Sequence, residues 1–378
     1  MKLKLIAVAI ATVISAPAFA ETETSGKAGS GFTVKTDDVS FSVFGRVQYD
    51  VDIWDGNAFS NADESGSDSE IRRGRIGISG KIAKDWSGKI EANFNDASGE
   101  TNLEDAYVKY TGMEGADLLI GKHKEPFGLE ENTSSKDITA IERTTITNAL
   151  SPGKNYGVSL GGGSNDFTWK FGIYDRGEEG NNIATGFSGR VTTAPIATKD
   201  EVFHLGFGYT QGRLAGNTYG EADQRLEIHT ADEKIGSGSI AGESIMAYNL
   251  EVAYAAGPFH AQAEYFDGKV DGGNWTADTN IEGYYAQAGY ILTGESRPYS
   301  KGVFKRVKPN GEAGAWEVFG RYSNYEPGAD EAEVFTLGLN YYANDAVRIG
   351  LNYVSADMTE GGIDKDGDAL AVRFQYVF

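Results

Sequence analysis

An all-β fold, a transmembrane antiparallel β-barrel of about sixteen strands, follows from three features of the chain. Apolar and polar residues alternate in steps of two almost continuously from Phe41 to Phe378. The connections between these runs are short and long by turns. The chain opens with an export signal and closes on an aromatic residue, Phe378, at the end of an amphipathic run.

The beginning reads as an address. Lys2 and Lys4 are followed by the apolar run Leu5–Val13 and the small-x-small site Ala18-Phe19-Ala20, the layout of a cleaved signal peptide. Residues 1–20 are therefore assigned to the signal and residues 21–40 to a flexible periplasmic start. Residues 41–378 form the barrel. The 378 residues include no cysteine and carry a formal charge of −21. Stability therefore rests on packing and hydrogen bonding rather than on disulfides, and nucleic acid is excluded as a partner because nothing here neutralises a row of phosphates. The mean hydropathy of −0.38 is polar. A barrel that shows lipid only every second residue has such an average.

The first run sets Phe41, Val43, Val47, Tyr49, Val51 and Ile53 against Arg46, Gln48, Asp50 and Asp52. This is long for a globular strand and suits a tilted membrane strand of ~9–11 residues. The pattern repeats, as in Trp86, Ile90 and Phe94 against Lys89, Glu91 and Asn93, and in Leu370, Val372, Phe374 and Tyr376 against Arg373 and Gln375. Connections alternate between short ones, such as Ala83-Lys84-Asp85 and Gly257-Pro258, and long ones at Asp55–Ser69, Gly121–Lys154, Arg213–Ser244, Asp267–Asn280 and Asp357–Gly367. Short turns on one side and long loops on the other are the asymmetry of an outer-membrane barrel. One connection breaks the rule: Gly294–Gly311 is long and falls on the short-turn side. Periodicity alone does not separate a barrel from a two-sheet sandwich. The signal, the terminal aromatic, and Tyr and Trp clustered at strand ends as an interface girdle favour the membrane. Closure also pairs every backbone group without leaving an edge, and a barrel of this size encloses an aqueous channel.

Gly121–Lys154 is the longest of the connections to lack any strand pattern while keeping an apolar and charged mixture. A connection of this length has a function or is disordered. It either folds back into the lumen as a constriction loop or lies over the rim, and the local sequence leaves both open. Its basic residues Lys122, Lys124, Lys136, Arg143 and Lys154 are interleaved with Glu125, Glu130, Glu131, Asp137 and Glu142. Such a balanced ring favours anions only if the basic groups face the axis while the acids pair with the wall. Arg73 and Arg75 share a face and Arg72 falls on the other. Guanidinium forks bind oxyanions bidentately, although arginines at a strand end can equally pair with Asp68, Glu70 or lipid headgroups.

Several stretches resemble the phosphate-selective porin family (the porin O and P type). They are Ile71-Arg72-Arg73-Gly74-Arg75 with Lys84-Asp85-Trp86, Leu103–Gly112, Gly128-Leu129-Glu130 with Thr133–Lys136, Ile141-Glu142-Arg143, Ala261–Tyr265, Thr293-Gly294-Glu295 and the ending Gln375–Phe378. The resemblance implies a homotrimeric outer-membrane porin with an inward-folded constriction loop, embedded in outer-membrane lipid and open to small anions, phosphate among them. It also implies pore positions for Arg46, Arg72, Arg73 and Arg143. Arg75, Lys122, Lys124, Glu131 and Lys136 complete the candidate anion path. Two departures stand out: Glu131 and Ser87 occupy positions where phosphate-selective members carry lysine.

Catalytic and metal chemistry finds little support. His123, His204, His229 and His260 lack metal-ligand spacing, and Asp364–Asp368 alternates carboxylates like a calcium loop but misplaces the glycine and lacks the closing glutamate. No cofactor, metal or catalytic residue is assigned. The readings carried forward are an anion-passing porin, a non-selective or cation-leaning porin, an outer-membrane hydrolase barrel, and a non-conducting structural barrel.

Overall fold

The protein is described by a computed structural model covering residues 23–36, 39–61, 65–94, 101–179, 182–236, 238–274 and 276–378. The segment assigned to the signal, 1–20, lies outside the described residues. Sixteen antiparallel strands form the barrel. They are β1 (Ser40–Gly56), β2 (Gly66–Ala83), β3 (Trp86–Phe94), β4 (Thr101–Met113), β5 (Ala116–Lys124), β6 (Lys154–Gly163), β7 (Phe167–Glu179) and β8 (Asn182–Ala197). The series continues with β9 (Glu201–Arg213), β10 (Ser244–Ala256), β11 (Phe259–Asp271), β12 (Thr279–Ile291), β13 (Ala315–Pro327), β14 (Glu331–Tyr342), β15 (Val347–Glu360) and β16 (Ile363–Val377). Each strand pairs with its neighbour, and β16 pairs with β1 from Gly367↔Gly56 to Val377↔Arg46. Phe378 completes the seam by exchanging backbone hydrogen bonds with Gly45 at 2.8 and 3.1 Å. The sheet has no free edge along this seam, as a hydrocarbon surrounding demands.

The alternation read from the sequence holds on the outside. Val47, Tyr49, Ile53, Ile90, Ile173, Leu250 and Phe374 all face outward and exposed. Aromatic pairs mark the turn end, with Trp86 4.6 Å from Tyr110 and Trp316 4.5 Å from Tyr341 between ring centroids. Inside, the polar face is interrupted. Phe266, Ile281, Tyr285, Tyr325, Val334 and Val354 point inward and are buried under loop residues Ile146, Leu150, Leu226 and Ile228. This side of the lumen is therefore an apolar core, since loops fold in and cover apolar wall positions.

Three expectations change. In the stretch read as a flexible start, Glu23–Lys27 and Gly31–Lys35 form a hairpin whose second strand pairs with β1 from Phe32↔Val43 to Lys35↔Ser40. The expected long loop Asp357–Gly367 is instead ladder up to Glu360↔Ile363. Gly361 and Gly362, both at positive φ (58° and 80°), make the two-residue turn that this tight hairpin requires. Its Asp and Gly content imitated a loop. Arg213–Ser244 and the odd connection between β12 and β13 both enter the barrel. The latter lies at the turn end, where Arg306 Nη2 donates to Gly29 O of the hairpin at 2.8 Å.

The acidic surplus has a location. On the outward face near the loop end, Asp267 stands opposite Glu282, Glu282 opposite Glu326, Glu333 opposite Asp357, Asp357 opposite Asp366 and Asp368 opposite Asp55. Directly opposed like charges weaken a ladder. Asp357 faces two of them, so Asp357→Asn should raise the midpoint of thermal unfolding in detergent by about 1 °C. The gain should shrink between low ionic strength and ~0.15 M salt as screening takes over, which circular dichroism melts at the two salt concentrations would read.

Candidate functional site

The constriction is built where β5 ends at Lys124 and the chain turns into the lumen until β6 begins at Lys154. Two short helices, α1 (Leu129–Asn132) and α2 (Thr145–Leu150), punctuate this loop. The irregular backbone between them has no ladder of its own, and buried carbonyls must find donors. The wall supplies most of them, and Arg297 of the β12–β13 connection another. Gln48 Nε2 donates to Ser135 O (3.1 Å), Arg297 Nη2 to Asp137 O (3.2 Å) and Arg348 Nη1 to Ile138 O (2.6 Å). Asn340 Nδ2 donates to Thr139 O (3.0 Å), Arg373 Nη1 to Ile141 O, and Arg321 Nη1 to Glu142 O (2.9 Å).

Two further segments fill the lumen beside it. The loop after β9 enters from the loop end and is clamped through Glu227, which accepts from Ser323 Oγ at 2.6 Å and pairs with Arg321. From the turn end comes the β12–β13 connection. Its Phe304 joins Leu129, Val202, Ala253 and Ala255 in a buried cluster, and its Tyr299 hydroxyl lies 2.7 Å from His204 Nδ1. Three cavities lie along the β1–β8 side. The outer one, about 360 Å³, is bordered by Arg72, Glu142 and the loop after β9. The middle one, about 480 Å³, lies between the constriction loop and β1–β6. The inner one, about 510 Å³, is bordered by Lys109, Lys170, Arg190 and Lys301 with a single acid, Asp117. Asn132, the last residue of α1, borders both the middle and the inner cavity.

The candidate residues converge closely on this passage. Arg46, Arg73, Arg75, Lys122, Lys124, Glu131 and Arg143 all border the middle cavity. Arg72 borders the outer one. Strict alternation would have turned Arg72 outward. The ladder, however, passes from Gln48↔Arg73 to Tyr49↔Ile71, so Arg72 is the extra residue of a bulge and its guanidinium reaches Glu142 at 3.0 and 3.2 Å. Lys122 keeps its outward parity opposite Tyr156, with Nζ 5.6 Å from the ring centroid, and reaches the cavity at its rim. Lys136 is the exception. It borders none of the three cavities and is crowded by Arg46, Lys305 and Arg306, which together with burial lower its pKa.

The acids of the loop pair with the wall. Glu125 is held by Arg176 (2.7 Å), Glu130 by Arg321 (3.2 Å) and Glu142 by Arg373 (2.6 Å), Arg72 and Arg73. Glu131 is the loop acid that borders the middle cavity, between Lys124 (2.8 Å) and Arg143 (3.1 Å). Burial would raise its pKa, but these two cations outweigh it and hold the carboxyl below its usual range. The same balance, with Arg72, Arg73 and Arg373 as the cations, keeps Glu142 well below that range. Arg143 has a second task, donating to the carbonyls of Glu130 (3.2 Å), Glu131 (3.2 Å) and Thr133 (2.9 Å).

Sequence reasoning missed part of the lining. Lys89, Glu91, Glu104, Asp105 and Lys154 form one ion-pair mesh in the middle cavity: Lys89 contacts Asp105 at 2.8 Å, Lys154 contacts Glu104 at 3.0 Å and Asp105 at 2.9 Å, and Arg75 contacts Glu104 at 2.6 Å. The signal was present, since Lys89, Glu91 and Asp105 share the inward parity of neighbouring strands. In total the middle cavity is bordered by eight basic and four acidic side chains, a surplus of four positive charges. The serine–histidine pairing that a hydrolase barrel needs does occur, with His123 Nε2 2.8 Å from Ser159 Oγ. Ser159 is only 1 % exposed, His123 Nδ1 is engaged by the Gly121 carbonyl rather than an acid, and neither residue borders the passage. Among the described residues no group of three or more His, Asp or Glu is placed to hold a metal ion.

Comparison with known proteins agrees with this architecture. The family model described as phosphate-selective porin O and P matches residues 41–378. Porin O of Pseudomonas aeruginosa is 32 % identical, with 100 % of this chain and 99 % of that protein aligned. Among solved structures, the anion-selective porin of Comamonas acidovorans superposes with a TM-score of 0.59 at 15 % identity, covering 90 % of this chain and all of that one. The in-vitro folded outer membrane protein OmpT of Vibrio cholerae gives 0.61 at 14 % identity, covering 91 % and 99 %. A closed sixteen-stranded barrel, an infolded loop at its waist and a match along the whole barrel lead to one conclusion: this chain belongs to the phosphate-selective porin O and P family of outer-membrane porins.

Proposed function

We propose that the pore passes small anions in preference to cations and retains phosphate weakly, in a homotrimer delivered to the outer membrane by a cleaved N-terminal signal. The observation that carries the ionic preference is the surplus of four positive charges around the middle cavity, followed by four basic side chains against one acid in the inner cavity. Walls of low dielectric focus such a field along a narrow passage, and the sign of its charged rings sets which ion enters. The outer cavity, with Arg72, Arg225 and Lys234 against Glu142, Glu221, Asp223 and Glu227, carries no positive excess, so selection begins below it.

The weak retention of phosphate follows from Glu131 and Ser87. Glu131 engages both Lys124 and Arg143, so two cations that could grip an oxyanion already hold a carboxylate. Ser87, on β3, adds no charge where a lysine would.

Purified protein in planar bilayers under a KCl gradient should give a reversal potential of anion-selective sign; a cation-selective sign would overturn the reading. Replacing Arg75 and Lys122 together with Glu changes the middle cavity by four charges and should bring the anion-to-cation permeability ratio to about one. Glu131→Lys should strengthen the block of chloride current by added phosphate by about tenfold, because it frees two cations and adds a third beside the middle cavity. Titrating phosphate against single-channel chloride current on both proteins measures this directly.

A further inference from the structure

One buried carboxylate on the far wall is engaged by the constriction loop rather than by any cation. Glu264, in the middle of β11, is 2 % exposed. Its Oε2 accepts from Leu129 N at 2.6 Å and its Oε1 from Glu130 N at 2.7 Å, the first two backbone donors of α1. Asn249 Nδ2 donates to Oε2 at 2.8 Å and the Tyr285 hydroxyl to Oε1 at 2.7 Å. The residue at the start of α1, Gly128, offers no side chain to cap the helix and sits at φ 74°. A Cβ there would lie 3.2 Å from Glu264 Oε2. The wall therefore supplies the cap that the loop lacks, and glycine lets the loop approach it.

What α1 positions is the meeting point of two cavities. Glu131 and Asn132 form its second half, and Asn132 separates the middle cavity from the inner one. From α1 the order passes onward: Glu130 Oε2 accepts from Thr144 N (3.0 Å) and Thr144 Oγ1 (2.9 Å) at the start of α2, while its Oε1 accepts from Arg321. An isolated four-residue helix has no stability of its own, so its place depends on these contacts.

We propose that Glu264 is the positioning residue of the constriction: from outside the passage, its carboxylate holds α1 and so fixes the gap at Asn132. It touches no permeating ion. Its oxygens take the place of the side-chain acceptor that an N-cap residue provides. The inference deepens the pore reading but can be tested apart from it.

Glu264→Gln puts an NH2 group against one of the two helix donors, so one cap bond is lost whichever way the amide turns. Because the chain has no cysteine, Ser134→Cys, two residues past α1, takes a nitroxide at a single place. The spectrum should show a mobile component in Glu264→Gln about tenfold larger than in the wild-type background, the factor for one lost charge-assisted hydrogen bond. Single-channel records should show the same rise in time spent at sublevels, with the anion-to-cation ratio lowered. Glu264→Asp, which keeps the carboxyl group but withdraws it by one methylene, should behave alike and serves if the glutamine variant does not fold. Glu317→Gln is the comparison. That carboxylate is also buried and accepts from His260, Asn340 and Tyr342, each at 2.7 Å, and it reaches the loop only through Asn340, at Thr139, seven residues past α1. A nitroxide as rigid in both Glu264 variants as in wild type overturns the proposal, as does equal mobility in Glu317→Gln. A wild-type protein that conducts nothing would instead overturn the pore reading, and the nitroxide result would still decide the role of Glu264.

Discussion

Every backbone amide in this molecule needs a partner, and for most of the chain the only partners available are other parts of the chain. Hydrocarbon offers no hydrogen bonds. That constraint closes sixteen strands into a ring and ties the terminal Phe378 to Gly45. It also governs the interior. The constriction loop has no ladder, so arginines and amides of the wall turn inward and donate to its carbonyls. Arg143 does this for its own loop, donating to Thr133 O while it also contacts Glu131 at the middle cavity.

The same economy of partners shapes the charge of the passage. A loop with equal numbers of acids and bases becomes electropositive towards the passage because most of its acids are turned to the wall and engaged by Arg176, Arg321 and Arg373. Composition alone does not set the sign of such a pore; the direction of each pairing does. Apolar cover adds to this. Ile146, Leu150, Leu226 and Ile228 pack on inward Phe266, Ile281 and Tyr325, burying area that anchors the loops away from the passage.

Most of the barrel was legible because lipid and water impose opposite demands on alternate residues, and Phe41–Ile53 or Leu370–Phe378 record that demand directly. The parts that were not legible are those where a tertiary partner overrides local pattern. Arg72 faces inward because of a bulge that no periodicity announces. Asp357–Gly367 looked like a loop because Asp and Gly favour turns, yet it is paired throughout apart from Gly361 and Gly362. In the site, the basic residues near the inward loop were recognisable, but the mesh of Lys89, Glu104, Asp105 and Lys154 requires β3, β4 and β6 to be brought side by side. Lys136 carried the right charge but borders none of the three cavities.

The hold of Arg373 on Glu142 spans 231 positions of chain, and Arg348 and Asn340 grip the same loop from strands almost as late in the sequence. Contacts of such separation form late, because their closure entropy is met only after much of the chain is arranged. During biogenesis the waist of this barrel must therefore stay unformed until the C-terminal hairpins arrive, and the last strand both seals the cylinder and sets the bore.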